Sequence, residues 1–137
     1  MSFALVRHAG YKISTGSLTA QAIESARDLA TKLKELGGTW REIRVSPSRR
    51  TKEMGTILAE ELHLSLEIDE RLDTDGNFVE FLPPKEQHGC IFVSHLPIIT
   101  QVLRSWSRYF KQSEPPLTEV ANGYIVDAEK KIIKPIR

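Results

Sequence analysis

Short apolar runs alternate along this chain of 137 residues with longer stretches of helical spacing, and this alternation restricts the fold more than any other feature. Phe3 to Val6 and Cys90 to Val93 are continuous apolar runs, as expected for buried strands. Ile43 and Val45 alternate with polar neighbours, which predicts a further strand. The alternation of strands and helices predicts a single domain over residues 1–137, built as a three-layer α/β/α sandwich with a mostly parallel central sheet.

The stretches between the strands have the spacing of amphipathic helices. Thr19 is the predicted N-cap of the first helix, and Gly37-Gly38 is predicted to end it. Ser46 is the predicted cap of the second helix, with Pro47 in its first turn, and a third helix is expected to follow Pro97. The residues predicted to be buried on the three helices are Ala22, Ala26, Leu29, Leu33 and Leu36, then Met54, Ile57, Leu58 and Leu62, then Ile99, Val102, Leu103, Trp106 and Phe110.

Weaker patterns complete the predicted order of elements. Leu64 to Ile68 alternates and is predicted to be a strand, and Phe78 to Leu82 is predicted to be a short helix that ends at Pro83-Pro84. Val120 to Asp127 and Lys131 to Pro135 are predicted to be two closing strands joined by a turn.

Charge and cysteine content exclude some classes of function. The chain has 19 basic and 18 acidic side chains, so no overall charge attracts it to nucleic acid or to an anionic membrane. The single cysteine, Cys90, cannot form an internal disulfide and is expected to be buried. The N-terminal apolar run is too short for a signal peptide, and no stretch is long and apolar enough to span a bilayer. We therefore expect a cytoplasmic protein with no nucleic-acid or membrane partner.

Unusual polar residues come directly after three of the predicted strands. These segments are Arg7-His8, Ser46 to Arg50 and Ser94-His95. Ligands of open α/β sheets bind in the crevice beyond the carboxyl ends of the strands. If the three strands are parallel neighbours, four side chains converge in that crevice: Arg7, His8, Arg50 and His95.

These four side chains suit a phosphoryl group. Arginine forks match phosphate oxygens, and helix N-termini add backbone N–H groups. Two histidines supply a nucleophile and a second, protonatable donor. Each segment alone would be explained by polar side chains at the protein surface or by a solvated helix start. The repetition at three strand ends is therefore what favours a phosphate-binding site. His63, His88 and Cys90 do not form a convincing metal set, and neither a metal nor an organic cofactor is expected.

The same residues carry a resemblance to a known family. Leu5-Val6-Arg7-His8-Ala9 resembles the opening signature of the histidine phosphatase superfamily, in its phosphoglycerate-mutase-like branch. Ser46 to Thr51 resembles its second motif, a serine-proline turn leading to an arginine, and Val93 to Pro97 resembles its third. Leu18-Thr19 and Arg71 to Asn77 are similar to segments of the small bacterial phosphohistidine phosphatases of SixA type, which lack the large inserted cap of the mutases.

The resemblance implies a role for each matching residue and a phosphoglycerate-mutase-like fold. His8 corresponds to the nucleophile that becomes phosphorylated. Arg7, Arg50 and His95 correspond to the residues that bind the phosphoryl oxygens. Arg49 falls one position before the motif arginine and is expected to face solvent or substrate at the rim of the site.

The chain departs from the family pattern near the site. Ala9 stands where many relatives have glycine, and the Thr and Asn that often follow the first motif are absent after Gly10. Ser94 replaces the glycine before the second histidine, which restricts the backbone there.

The largest departure from the family pattern is the missing glutamate general acid. The glutamate acid of many family enzymes corresponds to a position near Thr74, so Asp73 and Asp75 are the candidate acids, unless they form a solvated turn. General acid catalysis contributes about a hundred- to ten-thousand-fold for a leaving group that needs a proton. An imidazole leaves as a neutral ring once its free nitrogen is protonated. The missing glutamate therefore favours phosphoramidate substrates over sugar phosphates, although a loss of turnover would explain the same change.

The predicted function is a phosphatase that works through a covalent phosphohistidine at His8, acts on phosphohistidine in a protein and releases inorganic phosphate. One alternative is a phosphatase of small phosphorylated metabolites such as sugar phosphates. The other is a phosphate- or phosphoprotein-binding module that has lost turnover. A mutase is disfavoured, since so short a chain leaves little to enclose and reorient an intermediate.

Overall fold

A computed structural model describes residues 2–36, 40–73 and 88–136 of the chain. Within these residues the chain forms six strands and three α-helices, and a short 3₁₀ helix follows the third strand. The elements, in chain order, are β1 (Ser2–Arg7), α1 (Ala20–Glu35), β2 (Glu42–Val45), α2 (Arg49–Leu62), β3 (Ser65–Ile68), the 3₁₀ helix (Glu70–Leu72), β4 (Cys90–Ser94), α3 (Leu96–Tyr109), β5 (Gly123–Asp127) and β6 (Ile132–Pro135).

The six strands form one sheet in the order β3-β2-β4-β1-β5-β6. The first four strands of this order pair in parallel, whereas β5 and β6 form an antiparallel hairpin that pairs with β1. The predicted mostly parallel sheet is therefore confirmed. β1 and β4 lie at its centre and are buried along most of their length, as their continuous apolar runs require.

Helices cover both faces of the sheet and create two cores. On one face α1 and α2 pack over side chains such as Val6, Ile43 and Val93. On the other face α3 packs over Phe3 and Phe92 through Trp106, whose ring centroid lies 5.7 Å from that of Phe3. The predicted three-layer α/β/α sandwich is confirmed.

The helix starts agree with the sequence prediction in α1 but not in α2. Thr19 is the N-cap of α1, and its Oγ1 accepts a hydrogen bond from the Ala22 amide at 3.1 Å. The predicted cap Ser46 is wrong, because α2 begins at Arg49 with Ser48 as its N-cap. Ser46 continues the strand instead: its amide donates to the Val93 carbonyl at 3.2 Å. The site described below uses the Ser46 side chain.

Close packing holds α2 on the sheet. A Cβ at Gly55 would collide with Val45 Cγ1 and would lie 2.9 Å from Leu66 Cδ1, so only glycine allows the helix to approach β2 and β3 this closely. This approach places the first turn of α2 beside the ends of the central strands. Ile57 and Leu62, predicted to be buried, are only partly buried on this helix.

Some predicted features differ at their ends or cannot be compared. The fifth strand begins at Gly123 rather than at Val120. The predicted helix over Phe78 to Leu82, the Pro83-Pro84 stop and the Gly37-Gly38 stop lie outside the described residues. Among the helices that the structure does describe, none has the length and apolar character needed to cross a membrane.

Candidate active site

The ends of three parallel strands lie side by side because of their register. Val45 of β2 and Val6 of β1 are both paired with Val93 of β4, so the residues that follow these valines share one edge of the sheet. The His8 amide extends this pairing by donating to the Ser94 carbonyl at 3.2 Å. Of the four side chains that the strand-end argument brings together, His8, Arg50 and His95 contact one another at this edge.

His8 is held with one ring nitrogen turned away from the pocket. Its Nδ1 lies 3.0 Å from the carbonyl oxygen of Ala9, and a carbonyl only accepts, so Nδ1 carries the proton. Nε2 is left with a free lone pair, which accepts from Arg50 Nε at 3.3 Å. Burial lowers the pKa of His8, the hydrogen bond to Ala9 opposes this, and the charges of Arg50 and Arg7 lower the pKa further. His8 is therefore a neutral imidazole with Nε2 as its nucleophilic atom.

His95 has the opposite tautomer. Arg50 Nη2 lies 3.2 Å from its Nδ1, and because arginine only donates, Nδ1 accepts. The proton is then on Nε2, which donates to Ser46 Oγ at 2.8 Å. Burial, followed by the charges of Arg50 and His8, lowers the pKa of His95 to about 4, with Asp73 acting in the opposite direction. His95 is therefore neutral near pH 7, and a proton on its Nδ1 would require a nearby negative charge.

Arg50 joins the two histidines. It lies in the first turn of α2 and donates to both rings, whose centroids are 5.3 Å apart. On its other side, Arg50 Cζ lies 4.6 Å from the centre of the Tyr11 ring. The guanidinium is thereby held between two acceptors that a phosphate could replace.

Arg7 is fixed by the loop before β5. Its Nη1 donates to the Thr118 carbonyl at 3.1 Å, and its amide donates to Asn122 O at 2.9 Å. Arg7 Nε is buried and has no hydrogen-bond partner among the described residues. Arg7 therefore keeps unused hydrogen-bonding capacity and a positive charge beside His8.

A buried hydroxyl network supports His95, and sequence reasoning missed it. Ser46 Oγ accepts from His95 and lies 2.7 Å from Thr51 Oγ1. Thr51 Oγ1 is within hydrogen-bond distance of Ser48 Oγ and of the Ser46 and Ser48 carbonyls. Ser46 and Thr51 are fully buried. The sequence predicts Ser46 as a helix cap and as part of the serine-proline turn of the second motif, and neither pattern predicts its contact with His95. A serine directly after a strand in the predicted crevice is the available signal.

Ser94 has a hydrogen-bonding role. Its Oγ donates to the Leu72 carbonyl at 2.5 Å, which ties the turn after β3 to the end of β4. The next residue in that turn, Asp73, is close enough to His95 to affect its pKa electrostatically. Asp75 lies outside the described residues, so Asp73 is the candidate acid that the structure places near the pocket.

Arg49 points away from the pocket. Its side chain is 64% exposed, and its Nε lies 3.4 Å from Glu53 Oε2. Its Nη1 donates to the Thr15 carbonyl at 3.3 Å, so it contacts the loop that follows β1. The expectation that Arg49 faces solvent at the rim agrees with this position.

The side chains considered for a metal lie apart from the pocket. His63 is the left-handed C-cap of α2, and Cys90 is a buried thiol, outside any disulfide, whose pKa is raised to about 11 by burial and by Glu42. Within residues 2–36, 40–73 and 88–136, no group of three or more His, Cys, Asp or Glu side chains could hold a metal ion.

Comparison with known proteins identifies a matching protein family. The sequence model of the histidine phosphatase superfamily, branch 1, matches residues 4–75, which include Arg7, His8 and Arg50. No curated protein matches the chain by sequence.

Solved structures match over nearly the whole chain. The protein histidine phosphatase SixA, in complex with tungstate, has a TM-score of 0.80 at 19% identity, covering 98% of this chain and 94% of that one. The alpha-ribazole phosphatase of Shigella flexneri has a TM-score of 0.66 at 15% identity, covering 98% and 94%. The phosphoglycerate mutase of Plasmodium falciparum has a TM-score of 0.65 at 16% identity, covering 99% and 88%. At these identities the likeness establishes the phosphoglycerate-mutase-like fold.

Proposed function

Because the chain belongs to the histidine phosphatase superfamily, we propose that it hydrolyses phosphohistidine in a protein through a covalent phosphate on its own His8. The observation that carries this proposal is the state of His8, a neutral ring whose Nδ1 is tied to Ala9 O and whose Nε2 faces Arg50 and His95. A histidine held in this way presents a nucleophile directly to an anion-binding pocket.

Phosphate binding uses the groups around that nucleophile. Arg50 donates its two N–H groups to phosphoryl oxygens in place of the histidine nitrogens that it contacts in the structure. Arg7 adds a second positive charge beside His8. The first-turn amides of α2 and α3 donate no hydrogen bond to a capping side chain, so they also favour an anion.

The bound phosphate also changes His95. Its negative charge raises the low pKa of His95, so that Nδ1 takes up a proton and donates to a phosphoryl oxygen. Ser46 keeps the ring in place through Nε2 during this change. Arg7, Arg50 and His95 together then stabilise the negative charge that develops on the transferring phosphoryl group.

In the first chemical step the lone pair of His8 Nε2 forms a bond to phosphorus in line with the breaking P–N bond. The leaving imidazole keeps the electron pair of that bond, and a proton on its other nitrogen makes it a neutral product. In the second step water attacks the phosphorus of phospho-His8, and the P–N bond to Nε2 breaks. Inorganic phosphate leaves, and the water proton is released.

The choice of substrate rests on two observations. The similar SixA structure is that of a protein histidine phosphatase and contains tungstate, a tetrahedral oxyanion like phosphate. The chain also has Thr74 near the position of the family's glutamate acid, and an imidazole leaving group depends least on such an acid.

A phosphatase of small phosphorylated metabolites is the second candidate. The alpha-ribazole phosphatase and the phosphoglycerate mutase have the same fold over nearly the whole chain. Asp73 near His95 would serve as the acid that an alkoxide leaving group requires.

One experiment separates these functions. Phosphate release is measured from a phosphohistidine protein, an aryl phosphate and a sugar phosphate, with wild type and His8→Ala in parallel. We expect turnover that disappears in His8→Ala, with kcat/KM highest for the phosphohistidine protein. A clear preference for the sugar phosphate would support the metabolite phosphatase. Tight phosphate binding without any hydrolysis would contradict both functions and would indicate a binding module.

A further inference from the structure

Tyr11, in the loop after β1, contacts two of the groups proposed for catalysis. Its ring meets the His8 ring edge-to-face, with centroids 5.4 Å apart and an interplanar angle of 76°. The same ring lies under Arg50 Cζ at 4.6 Å. His8 is only 8% exposed whereas Tyr11 is 37% exposed, so the tyrosine ring is the boundary between the pocket and solvent on this side.

The backbone holds Tyr11 in this position. Tyr11 forms an antiparallel bridge with Leu18, and Lys12 N donates to Ser17 O at 2.8 Å. The Thr19 amide closes the base of the loop on Gly10 O at 3.2 Å. The ring is therefore carried by a hydrogen-bonded loop anchored at the start of α1.

The geometry of phosphoryl transfer brings the leaving group to this boundary. In-line attack by His8 Nε2 makes the leaving group point away from His8 and toward solvent. A ring that borders both His8 and Arg50 and is itself partly exposed then lies beside the path of the leaving group.

We propose that Tyr11 is a specificity-determining residue that stacks on a flat aromatic or heteroaromatic leaving group. The identity of that group as the imidazole of phosphohistidine rests on the proposed function, whereas the preference for flat rings does not. Aromatic pairs attract beyond the burial of their area, and a polyhydroxylated aliphatic group does not gain this attraction. Tyr11 thus disfavours sugar phosphates relative to phosphoimidazole groups.

A purely structural role for Tyr11 has a different signature. Through its cation–π contact the ring also orients Arg50. If that were its only role, removing the ring would lower kcat/KM by the same factor for every substrate, because all of them require Arg50.

The test compares two substrates that share a P–N bond and differ in the ring. Phosphoimidazole releases a heteroaromatic ring, and inorganic phosphoramidate releases ammonia. We expect Tyr11→Leu to lower kcat/KM for phosphoimidazole about twofold to tenfold more than for phosphoramidate. Tyr11→Phe keeps the ring and is expected to keep the wild-type ratio of the two values. An unchanged ratio in Tyr11→Leu would overturn the proposal.

This ratio is taken within each variant, so a lower folded fraction affects both substrates equally and cancels. Phenyl phosphate and glycerol 1-phosphate form a second pair, with P–O bonds. If wild type cleaves esters but neither P–N substrate, the proposed function fails, and the inference about Tyr11 is decided by the ester pair alone. A phenyl-to-glycerol ratio that falls in Tyr11→Leu supports the inference, and one that stays constant overturns it.

Discussion

The two sides of the candidate phosphate pocket are built in different ways. The inner side consists of His8, Ser46, Arg50, Thr51 and His95, and all of these except the half-buried Arg50 are buried. The outer side, here called the rim, consists of residues 10–17 together with Arg49, and its residues are exposed or half-buried. Hydrogen bonds between side chains connect the inner side, whereas backbone hydrogen bonds such as Gly16 N to Lys12 O shape the rim.

This difference separates two tasks. On the inner side each side chain determines the tautomer or direction of another, so one substitution changes the state of the reacting groups. On the rim a substitution changes mainly what lies beside the pocket. We therefore expect large effects on all substrates from the inner side and small, substrate-dependent effects from the rim.

The largest expected effect comes from Arg50→Lys. Lysine keeps the charge but loses the fork that reaches His8 Nε2 and His95 Nδ1. We expect kcat/KM to fall about 100- to 1,000-fold on every substrate, the usual result of removing a donor to the transition state. Arg49→Lys makes the same change one residue earlier, on the rim, and should lower kcat/KM by less than about threefold. Equal losses in the two variants would contradict the division between the two sides.

The second prediction concerns stability at low pH. The pKa of His95 is about 4 in the folded protein and near 6.5 in an unfolded chain. Between these values the unfolded chain binds more protons, so the free energy of unfolding falls as pH drops from 6.5 to 4, by up to about 1.4 kcal/mol per pH unit. Denaturant unfolding of wild type and His95→Gln across this range should show a shallower pH slope in the variant. Equal slopes would contradict a buried neutral His95.

Ser46→Ala should have an intermediate effect. It removes the acceptor of the His95 Nε2 proton and leaves a buried donor unpaired, which costs about 1–3 kcal/mol. We expect kcat to fall about tenfold with a small change in KM, and the acid limb of the pH profile to shift because His95 is no longer held. Ser48→Ala is the comparison variant, since Ser48 contacts Ser46 and Thr51 but not His95. A fall in kcat in Ser48→Ala as large as in Ser46→Ala would indicate a general disturbance of α2.

The smallest effect is expected from Glu53→Ala, which loosens the rim. Glu53 Oε1 accepts from the Leu18 amide at 2.8 Å, and Oε2 pairs with Arg49. We expect the free energy of unfolding to fall by about 1 kcal/mol while kcat/KM for phosphoramidate stays within about twofold. Glu60→Ala, an exposed change two turns along α2, serves as the control. A large loss of phosphoramidate cleavage in Glu53→Ala would show that the rim also holds the reacting groups.

The sequence was sufficient for the features that follow from periodicity and strand ends. Alternating apolar runs predict the central strands, and the parallel-sheet rule brings His8, Arg50 and His95 together. The sequence was insufficient where one side chain could make either a local or a long-range hydrogen bond. Ser46 precedes a proline and looks like a helix cap, but its hydroxyl bonds a histidine 49 residues later in the chain, and no local pattern encodes that contact.

Tyr11 and Ser94 show a second limit. An aromatic residue after a glycine in a polar loop has no periodic partners, so its contact with Arg50 emerges only from the folded loop. Ser94 was predicted to restrict the backbone, but the structure shows a hydrogen bond from its hydroxyl to Leu72 O, across 22 residues. In both cases the chemistry depends on packing between distant segments.

The most direct test of the account is to trap the phosphorylated enzyme. Wild type and His8→Asn are mixed with phosphoramidate and quenched in base, where phosphohistidine survives, and the modified residue is identified by mass spectrometry and ³¹P NMR. The account predicts one phosphate on His8, bonded to Nε2, and none in His8→Asn. Phosphate on His95, or undiminished turnover in His8→Asn, would contradict it.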